Sequence, residues 1–196
     1  MAGFTWKCKV ALIAAGRQSN VNGLGLEDIG VQLGHRGLVE VNDKYQTSIP
    51  NIYAAGDVIG FPALASTSME QARVAMVQAF DLHYKEKVSS VLPLAVYGIP
   101  EISAVGLHEE DCKEKNIPYL VGRASFENSA RGQISGEVNG MIKLIFSPGD
   151  KRLLGAHIIG EGASELIHIA MHAIARNETI DVFIDAVYNY PTLSDS

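Results

Sequence analysis

The stretch IYAAGDVIG, residues 52–60, is an apolar run that contains a glycine followed by a single carboxylate. Residues 52–55 predict a short buried strand, and Gly56 lets the backbone turn tightly or approach a neighbour closely. Asp57 then lies at the carboxyl end of that strand, where open α/β sheets bind their ligands. The pattern is equally consistent with a ligand site at Asp57 and with an acid that merely caps a loop or a helix.

The segments on either side of this stretch predict further elements of an α/β unit. Upstream, CKVALIAAG (8–16) has the composition of a buried strand, which would need neighbouring strands. Downstream, a helix is expected over about residues 65–85, with Ser66 as its N-cap. The apolar stripe of this helix is formed by Met69, Ala72, Val77 and Phe80.

From about residue 88 the sequence predicts one strand after another with few helices between them. Successive strands without crossover helices indicate antiparallel pairing, so we predict an α+β domain with its helices on one face of the sheet. The tetrapeptide SPGD (147–150) predicts the turn of a hairpin. Strands are expected at 92–98, 102–106, 118–127, 140–147 and 152–160, and helices at 108–116, 162–176 and 180–187.

Composition and charge restrict the class of protein. The chain has 196 residues, of which 47% are hydrophobic and 19% charged, as is typical of a globular protein. A net charge of −6 without a basic run argues against nucleic acid or an anionic membrane as partner. Cys8 and Cys112 are too far apart in sequence to indicate a redox pair or a metal knuckle. They suit a reducing compartment and no run of 18 apolar residues occurs, so we expect a cytoplasmic protein without a membrane span.

Two further patterns favour ordinary structural explanations. GLGLEDIG (23–30) begins like a dinucleotide-binding glycine loop, but Asp28 stands where the third glycine belongs and no strong strand leads into it. Glu165, His168 and His172 would share one helix face at a spacing that metal ligands use. Because no other ligand cluster is evident, an amphipathic helix is the favoured interpretation and no metal is expected.

The residues around Asp57 also resemble a known family. TSIPNIYAAGDV (47–58), followed by PALAS at the start of a helix, closely resembles the second flavin-binding motif of the pyridine nucleotide-disulfide oxidoreductase family, the flavoproteins with two dinucleotide-binding domains. Four more segments resemble that family in the same order along the chain. They are AAGRQSN (14–20), IPEISAVGLHEEDC (99–112), LLGAHIIGEGASELIHIA (153–170) and YPTLSD (190–195).

The resemblance implies a flavin site with FAD as cofactor and NAD(P) as substrate of the full-length protein. In the family, an aspartate at the position of Asp57 accepts hydrogen bonds from the ribityl hydroxyls of FAD. The helix that follows points its N-terminus at the pyrimidine end of the flavin, where free N–H groups would stabilise negative charge on the reduced ring. The cofactor-binding residues implied are Gly56, Asp57, Leu64, Ala65 and Ser66, and no catalytic residue is assigned.

The resemblance also implies a domain organisation. Residues 1–15 would be the tail of a nicotinamide-binding domain, 16–87 the C-terminal part of a FAD-binding domain, and 88–196 a dimerisation domain cut short at its end. A homodimer through 88–196 is expected, with an apolar helix face that includes Leu166, Ile169, Ala170 and Ala173. Since the first FAD glycine loop is absent, we expect a C-terminal portion of a protein about two to three times as long, inactive by itself.

The segment around Pro191 distinguishes activities within the family. Disulfide reductases of the family carry a histidine before this proline, whereas here Tyr190 precedes it and Asp195 stands at a glutamate position. Tyrosine has an ordinary pKa of about 10 and is a poor base near neutrality. The family's transhydrogenases resemble the chain here, which predicts hydride transfer between NADPH and NAD⁺ through FAD. The alternatives are a dihydrolipoamide dehydrogenase-like disulfide oxidoreductase and an isolated dimerisation module without activity of its own.

Overall fold

The computed structural model describes residues 7–196. The chain divides into two compact units, with the boundary in the sequence between Val88 and Ser89. Residues 1–6, which belong to the predicted tail of a nicotinamide-binding domain, lie outside the described residues. Each unit has its own apolar core, and each is described separately below.

The first unit consists mainly of loops and one long helix, α1 (Ala65–Ala79). Backbone pairing outside this helix is sparse, and isolated bridges join Leu33 to Val39 and Gln46 to Tyr53. The strand predicted at 52–55 was therefore wrong, because only Tyr53 of that segment pairs with another strand-like residue. The core is formed by apolar side chains from these loops: Val21, Val31 and Val39, with Leu26, Leu33, Val41, Ile49, Ile52, Ala54, Val58 and Ile59 packed around them.

The strand predicted at 8–16 is also wrong. These residues form no regular structure, and the side chains of Val10, Leu12 and Ile13 are 86–92% exposed. A buried strand must pair its backbone groups with neighbours on each side. In the described part of the chain, residues 8–16 have no such neighbour.

Helix α1 is shorter than predicted and buries a different face. It ends at Ala79, and its buried side chains are Thr67, Gln71, Val74, Ala75 and Val77. The predicted stripe is correct only at its third member, since Met69 and Phe80 are 56% and 66% exposed and Ala72 is also exposed. Two polar residues of the buried face, Thr67 and Gln71, made the true apolar periodicity hard to recognise.

The second unit contains a five-stranded sheet in the order β1-β2-β5-β4-β3, with every neighbouring pair antiparallel. The predicted α+β class, an antiparallel sheet with packed helices, is confirmed. Residues 147–150 form the turn between the fourth and fifth strands, as predicted. The strands are β1 (Leu94–Val96), β2 (Ile102–Gly106), β3 (Leu120–Ser125), β4 (Met141–Phe146) and β5 (Leu153–Ile159).

Four helices accompany this sheet: α2 (Glu109–Glu114), α3 (Ala130–Ser135), α4 (Ala163–Ala175) and α5 (Asp181–Ile184). Helix α4 packs across β5 and β2 and supplies Ile167 and Ala170 to the core. The Oγ of buried Ser103 donates a hydrogen bond to the carbonyl of Ala163 at 2.5 Å. The Glu101 carboxylate accepts hydrogen bonds from the N–H and the hydroxyl of Ser164, which caps the first turn of α4.

Phe126 is the largest fully buried side chain of the core. Its ring lies against Gly140 and Gly160, where an added Cβ would come within 2.0 Å and 2.7 Å of ring carbons. The ring fits only because both neighbours lack a side chain, so any larger residue at Gly140 would displace Phe126.

A group of charged and histidine side chains lies between β3, β4, β5 and α2. Arg123, Lys143 and His157 occupy successive paired positions across the three strands. The Glu109 carboxylate accepts hydrogen bonds from Lys143 at 3.1 Å and Arg123 at 3.2 Å, and Lys143 lowers the pKa of Glu109. Nε2 of His157 lies 2.9 Å from Nδ1 of His108, while Nδ1 of His157 is buried without a hydrogen-bond partner among the described residues.

Burial, the charge of Lys143 and the proximity of His108 lower the pKa of His157 from 6.5 to about 4. As the pH falls, His157 is therefore protonated at a higher pH in the unfolded chain than in the folded chain. Stability should be constant above about pH 7 and fall as the pH decreases from about 6.5 towards 4. The full shift sets an upper bound of about 3 kcal/mol. Because the side chain of His157 is only partly buried, solvent screens part of this effect, and we expect His157 to account for about 1–2 kcal/mol.

Urea unfolding of the chain between pH 7.5 and 4.5 measures this effect. Across this range, the free energy of unfolding of His157→Gln should change by about 1–2 kcal/mol less than that of the unmodified chain. His168→Gln, at an exposed position of α4, should leave the pH dependence of the unfolding free energy unchanged. Glu109 and Asp111 also have lowered pKa values, but they titrate in both variants and do not affect the comparison. An identical pH dependence in His157→Gln and the unmodified chain would contradict the prediction.

Candidate functional site

Two of the predicted site residues, Gly56 and Asp57, lie on a single 3-10 turn, Gly56–Ile59, in the first unit. Gly56 has a positive φ of +83°, and a Cβ added to it would lie 3.1 Å from the Oγ of Ser68 in the first turn of α1. Its N–H donates a hydrogen bond of 2.7 Å to Oε1 of the buried Gln71. The hydrogen bond to Gln71 therefore holds the turn against α1. Only glycine fits at position 56, because any other residue would be strained by the positive φ and crowded against Ser68.

Asp57 follows Gly56 and presents its carboxylate to solvent. The side chain is 55% exposed and accepts a hydrogen bond of 2.7 Å from Nη1 of Arg17, whose own side chain is 76% exposed. An ion pair between such exposed groups contributes only about 0–1 kcal/mol. A ligand that offers hydroxyl donors can therefore replace Arg17 as the partner of this carboxylate at little cost.

A cavity of about 550 Å³ opens beside Asp57. This volume falls in the range of small-molecule and cofactor sites. Arg17 and Arg36 both line it, so the cavity has two guanidinium groups for one carboxylate and suits an anionic ligand such as a diphosphate. Phe61, which is 96% exposed, adds an aromatic ring to the lining.

The backbone around this cavity is unusual. Arg36 and Ala63, which both line the cavity, have positive φ angles of 59° and 41°. Residues other than glycine adopt this region at a cost, and such strained positions are concentrated at functional sites. Two of them at one cavity support a ligand-binding role.

Helix α1 begins directly after the cavity-lining residue Ala63 and the N-cap residue Leu64. The prediction of Ser66 as N-cap was wrong, because Ser66 lies inside the first turn and is exposed. Leu64 makes no side-chain capping bond, so the N–H groups of Ala65 and Ser66 have no side-chain cap to satisfy them. The helix terminus carries the donors and the partial positive charge that an anionic or carbonyl group would need.

Arg17, Arg36 and Phe61 line the cavity but were not predicted as site residues. Arg17 belongs to the recognised segment AAGRQSN, but nothing in that segment indicates a partner 40 residues further along the chain. Arg36 lies in a short 3-10 turn, His35–Gly37, and Phe61 lies in a loop, and neither segment has a periodic pattern. Only the folded backbone brings these side chains together with Asp57.

The four apolar residues of α4 that were predicted to form a dimerisation face are mostly used within the second unit itself. Ala170 and Ala173 are buried in the unit's own core, and Leu166 is partly buried against it, so that only Ile169 of the four is exposed. His168 and His172 are exposed on α4. Within residues 7–196, no group of three or more histidine, cysteine, aspartate or glutamate side chains is arranged to hold a metal ion.

The C-terminal segment carries a second exposed surface. Ile184 and Val187 are 70% and 99% exposed, and Tyr190 is 72% exposed. Asp195 and Ile169 line an apolar cavity of about 300 Å³ formed with β4, β5, α4 and α5. Apolar side chains at this exposure suit contact with another protein surface.

No helix in the described part of the chain combines the length and the apolar character that crossing a bilayer requires.

Two family descriptions match the chain. Residues 2–79 match "Pyridine nucleotide-disulphide oxidoreductase", and residues 92–196, more than half of the chain, match the dimerisation domain of the same family. These matches agree with the resemblance predicted from the sequence motifs.

Individual relatives give the same result. The chain is 43% identical over 188 residues to a soluble pyridine nucleotide transhydrogenase of Mycobacterium tuberculosis, a match that covers 96% of the chain and 40% of the relative. It is 42% identical over 198 residues to the protein of that name from Marinomonas sp., covering 100% of the chain and 42% of the relative. The chain thus spans about two fifths of the length of these relatives.

Two solved structures have a similar fold. LpdA of Mycobacterium tuberculosis has a TM-score of 0.82 and 29% identity, over 91% of this chain and 39% of that one. The HOCl-induced flavoprotein disulfide reductase RclA of Escherichia coli has a TM-score of 0.87 and 25% identity, over 93% and 42% of the two chains. By its motifs, its fold and these matches, the chain belongs to the pyridine nucleotide-disulphide oxidoreductase family.

Proposed function

We propose that this chain is part of a FAD-dependent oxidoreductase that transfers hydride between NADPH and NAD⁺. The observation that carries the proposal is the exposed carboxylate of Asp57, held on a fixed turn beside a cavity of cofactor size. The names of the similar transhydrogenases support the choice of reaction. Residues 1–15, 16–87 and 88–196 would be the nicotinamide-domain tail, the FAD-domain part and the dimerisation domain.

The residues around the cavity fit FAD chemically. Asp57 would accept hydrogen bonds from the ribityl hydroxyls, and Gly56 allows the turn that presents it. The guanidinium groups of Arg17 and Arg36 supply charge that suits a diphosphate. The first turn of α1, at Leu64, Ala65 and Ser66, would direct its N–H groups towards the pyrimidine edge of the flavin.

FAD supplies the ring that accepts and returns the hydride, and the residues of this chain bind and orient it. Hydride exchange between two nicotinamides needs no proton shuttle, in contrast to reduction of a disulfide. Tyr190 at the position before Pro191 agrees with this difference, because tyrosine as a residue type is a poor general base near neutrality. Efficient reduction of a disulfide would call for a group such as histidine, which titrates near neutrality.

A disulfide oxidoreductase is the second candidate. It is supported by the structural similarity to RclA, which is described as a disulfide reductase. The third candidate is a dimerisation module without activity of its own, for which the match of residues 92–196 to a dimerisation domain is the support. Stoichiometric yellow flavin in the purified chain would exclude the third candidate.

We further propose that the protein is a cytoplasmic homodimer whose subunits associate through residues 88–196. The support is the match to a dimerisation domain and the exposed apolar side chains of Ile184 and Val187. Symmetric contact between two copies is the usual way of burying such a surface.

Replacing Asp57 tests the flavin site. In the full-length protein that carries this chain, Asp57→Ala should weaken FAD binding about 10- to 150-fold, because a charge-assisted hydrogen bond contributes about 1.5–3 kcal/mol. FAD titration of the apoprotein measures the change, and Asp81→Ala, at an exposed position of the same unit, serves as control. Unchanged affinity in a folded Asp57→Ala protein would remove Asp57 from the site.

A paired assay of the same full-length protein tests the reaction. We expect efficient reduction of a NAD⁺ analogue by NADPH, and turnover of NADH with lipoamide lower by a factor of about 10²–10⁴, because an acid–base group is missing. Tyr190→Phe should leave transhydrogenation unchanged. Efficient lipoamide turnover with negligible transhydrogenation would instead favour the disulfide oxidoreductase.

Sedimentation of the chain tests the association. We expect a dimer, and Val187→Glu should raise the dimer dissociation constant at least tenfold because it places a charge in an apolar contact. Ile134→Glu provides the matched control, since Ile134 is 68% exposed on α3, which is not part of the proposed surface. A monomer at high concentration, or equal effects of the two substitutions, would contradict the proposed surface.

A further inference from the structure

We propose that Gln71 is a positioning residue of the flavin site, which holds Asp57 in register with the N-terminus of α1. The inference rests on the proposed function, because the register matters only if one ligand contacts both features. Gln71 itself is buried in the first unit and does not line the cavity beside Asp57.

The contact that defines this role is a buried hydrogen bond. Oε1 of Gln71 accepts the N–H of Gly56 at 2.7 Å, and the side chain of Gln71 is only 4% exposed. A glutamine is seldom buried to this extent unless its polar atoms have partners. Removing the acceptor would leave the Gly56 N–H unsatisfied, at the cost of a buried polar group.

The same turn also approaches the same helix closely. A Cβ added to Gly56 would lie only 3.1 and 3.2 Å from Oγ and Cβ of Ser68, so the turn has no room for a side chain beside the first turn of α1. Ser68 in turn donates its hydroxyl hydrogen to the carbonyl of Leu64 at 2.8 Å. Contacts at helix positions 68 and 71 thus set how the turn lies relative to the helix N-terminus.

The consequence concerns the two proposed flavin contacts. Asp57 immediately follows Gly56, and Leu64 immediately precedes α1, so the bond from Gln71 determines the separation between the ribityl acceptor and the N–H donors. A rigid ligand engages both only when that separation is already correct. Gln71 would therefore increase FAD affinity without contacting FAD.

Two substitutions separate the acceptor from the volume of the side chain. Gln71→Met fills a similar space without a hydrogen-bond acceptor of comparable strength. Gln71→Glu keeps an oxygen at the same position, and burial would raise the pKa of that carboxyl and favour its neutral form. Gln78→Met makes the same change at an exposed position of α1 and is the matched control.

FAD titration of the full-length apoprotein provides the first measurement, at a temperature where circular dichroism shows every variant folded. We expect Gln71→Met to raise the FAD dissociation constant about tenfold, with Gln71→Glu and Gln78→Met within about threefold of the unmodified protein. A purely stabilising role would not change affinity in folded protein. Unchanged affinity in Gln71→Met would overturn the inference.

Amide hydrogen exchange in the chain itself provides the second measurement. The Gly56 amide should exchange at least tenfold faster in Gln71→Met and remain protected in Gln71→Glu. Faster exchange together with unchanged FAD affinity would show that Gln71 is only structural and would overturn the inference. If the unmodified full-length protein binds no FAD, the proposed function fails, a result distinct from normal FAD binding by Gln71→Met.

Discussion

Backbone pairing is the constraint on which both units depend, because an extended segment is stable only when its N–H and C=O groups have partners. β5 illustrates the satisfied case, since it pairs with β2 on one side and β4 on the other. Its position at the centre of the sheet also gives α4 a surface on which to pack. β5 is thus paired along both of its edges, and the core of the second unit is closed around Phe126 and Ile167.

The first unit satisfies the same constraint by other means. It has isolated bridges and turns, and its one long helix provides a side-chain acceptor for the backbone of the Asp57 turn. The contact between Gly56 and Gln71 does locally what a strand partner would do elsewhere. The result is a fixed turn beside a cavity that displays one carboxylate and two arginines, an arrangement that suits a flexible polyol attached to a diphosphate.

The sequence predicted the strands of the second unit well, because apolar runs are separated there by turn residues such as SPGD, and β2 was predicted at 102–106, where the structure has it. The pairing of β2 with β5 was not predicted, since it joins Ile102 to Ile159 across two intervening strands. Helix α3 was missed because ARGQIS has little apolar periodicity. The contact of His108 with His157 was also missed, since it joins residues 49 positions apart through the packing of α2 on the sheet.

The first unit shows where local patterns are insufficient. Residues 8–16 have the composition of a strand, but composition does not supply neighbours, and Leu12 remains 92% exposed. The motif correctly predicted that Asp57 lies on a turn after a glycine. Its ion pair with Arg17 could not be predicted, because the two residues are 40 positions apart and only the fold brings them together. The buried face of α1 was misjudged because Gln71 is buried for its hydrogen bond and not for its hydrophobicity.

The most direct test of the proposed flavin site is a crystal structure of the full-length protein with FAD bound. We expect the Asp57 carboxylate within about 3.2 Å of a ribityl hydroxyl. We also expect the first turn of α1 to face the pyrimidine edge and the hydrogen bond between Gly56 and Gln71 to be intact. A flavin bound elsewhere, with Asp57 still paired only to Arg17, would contradict the proposed site.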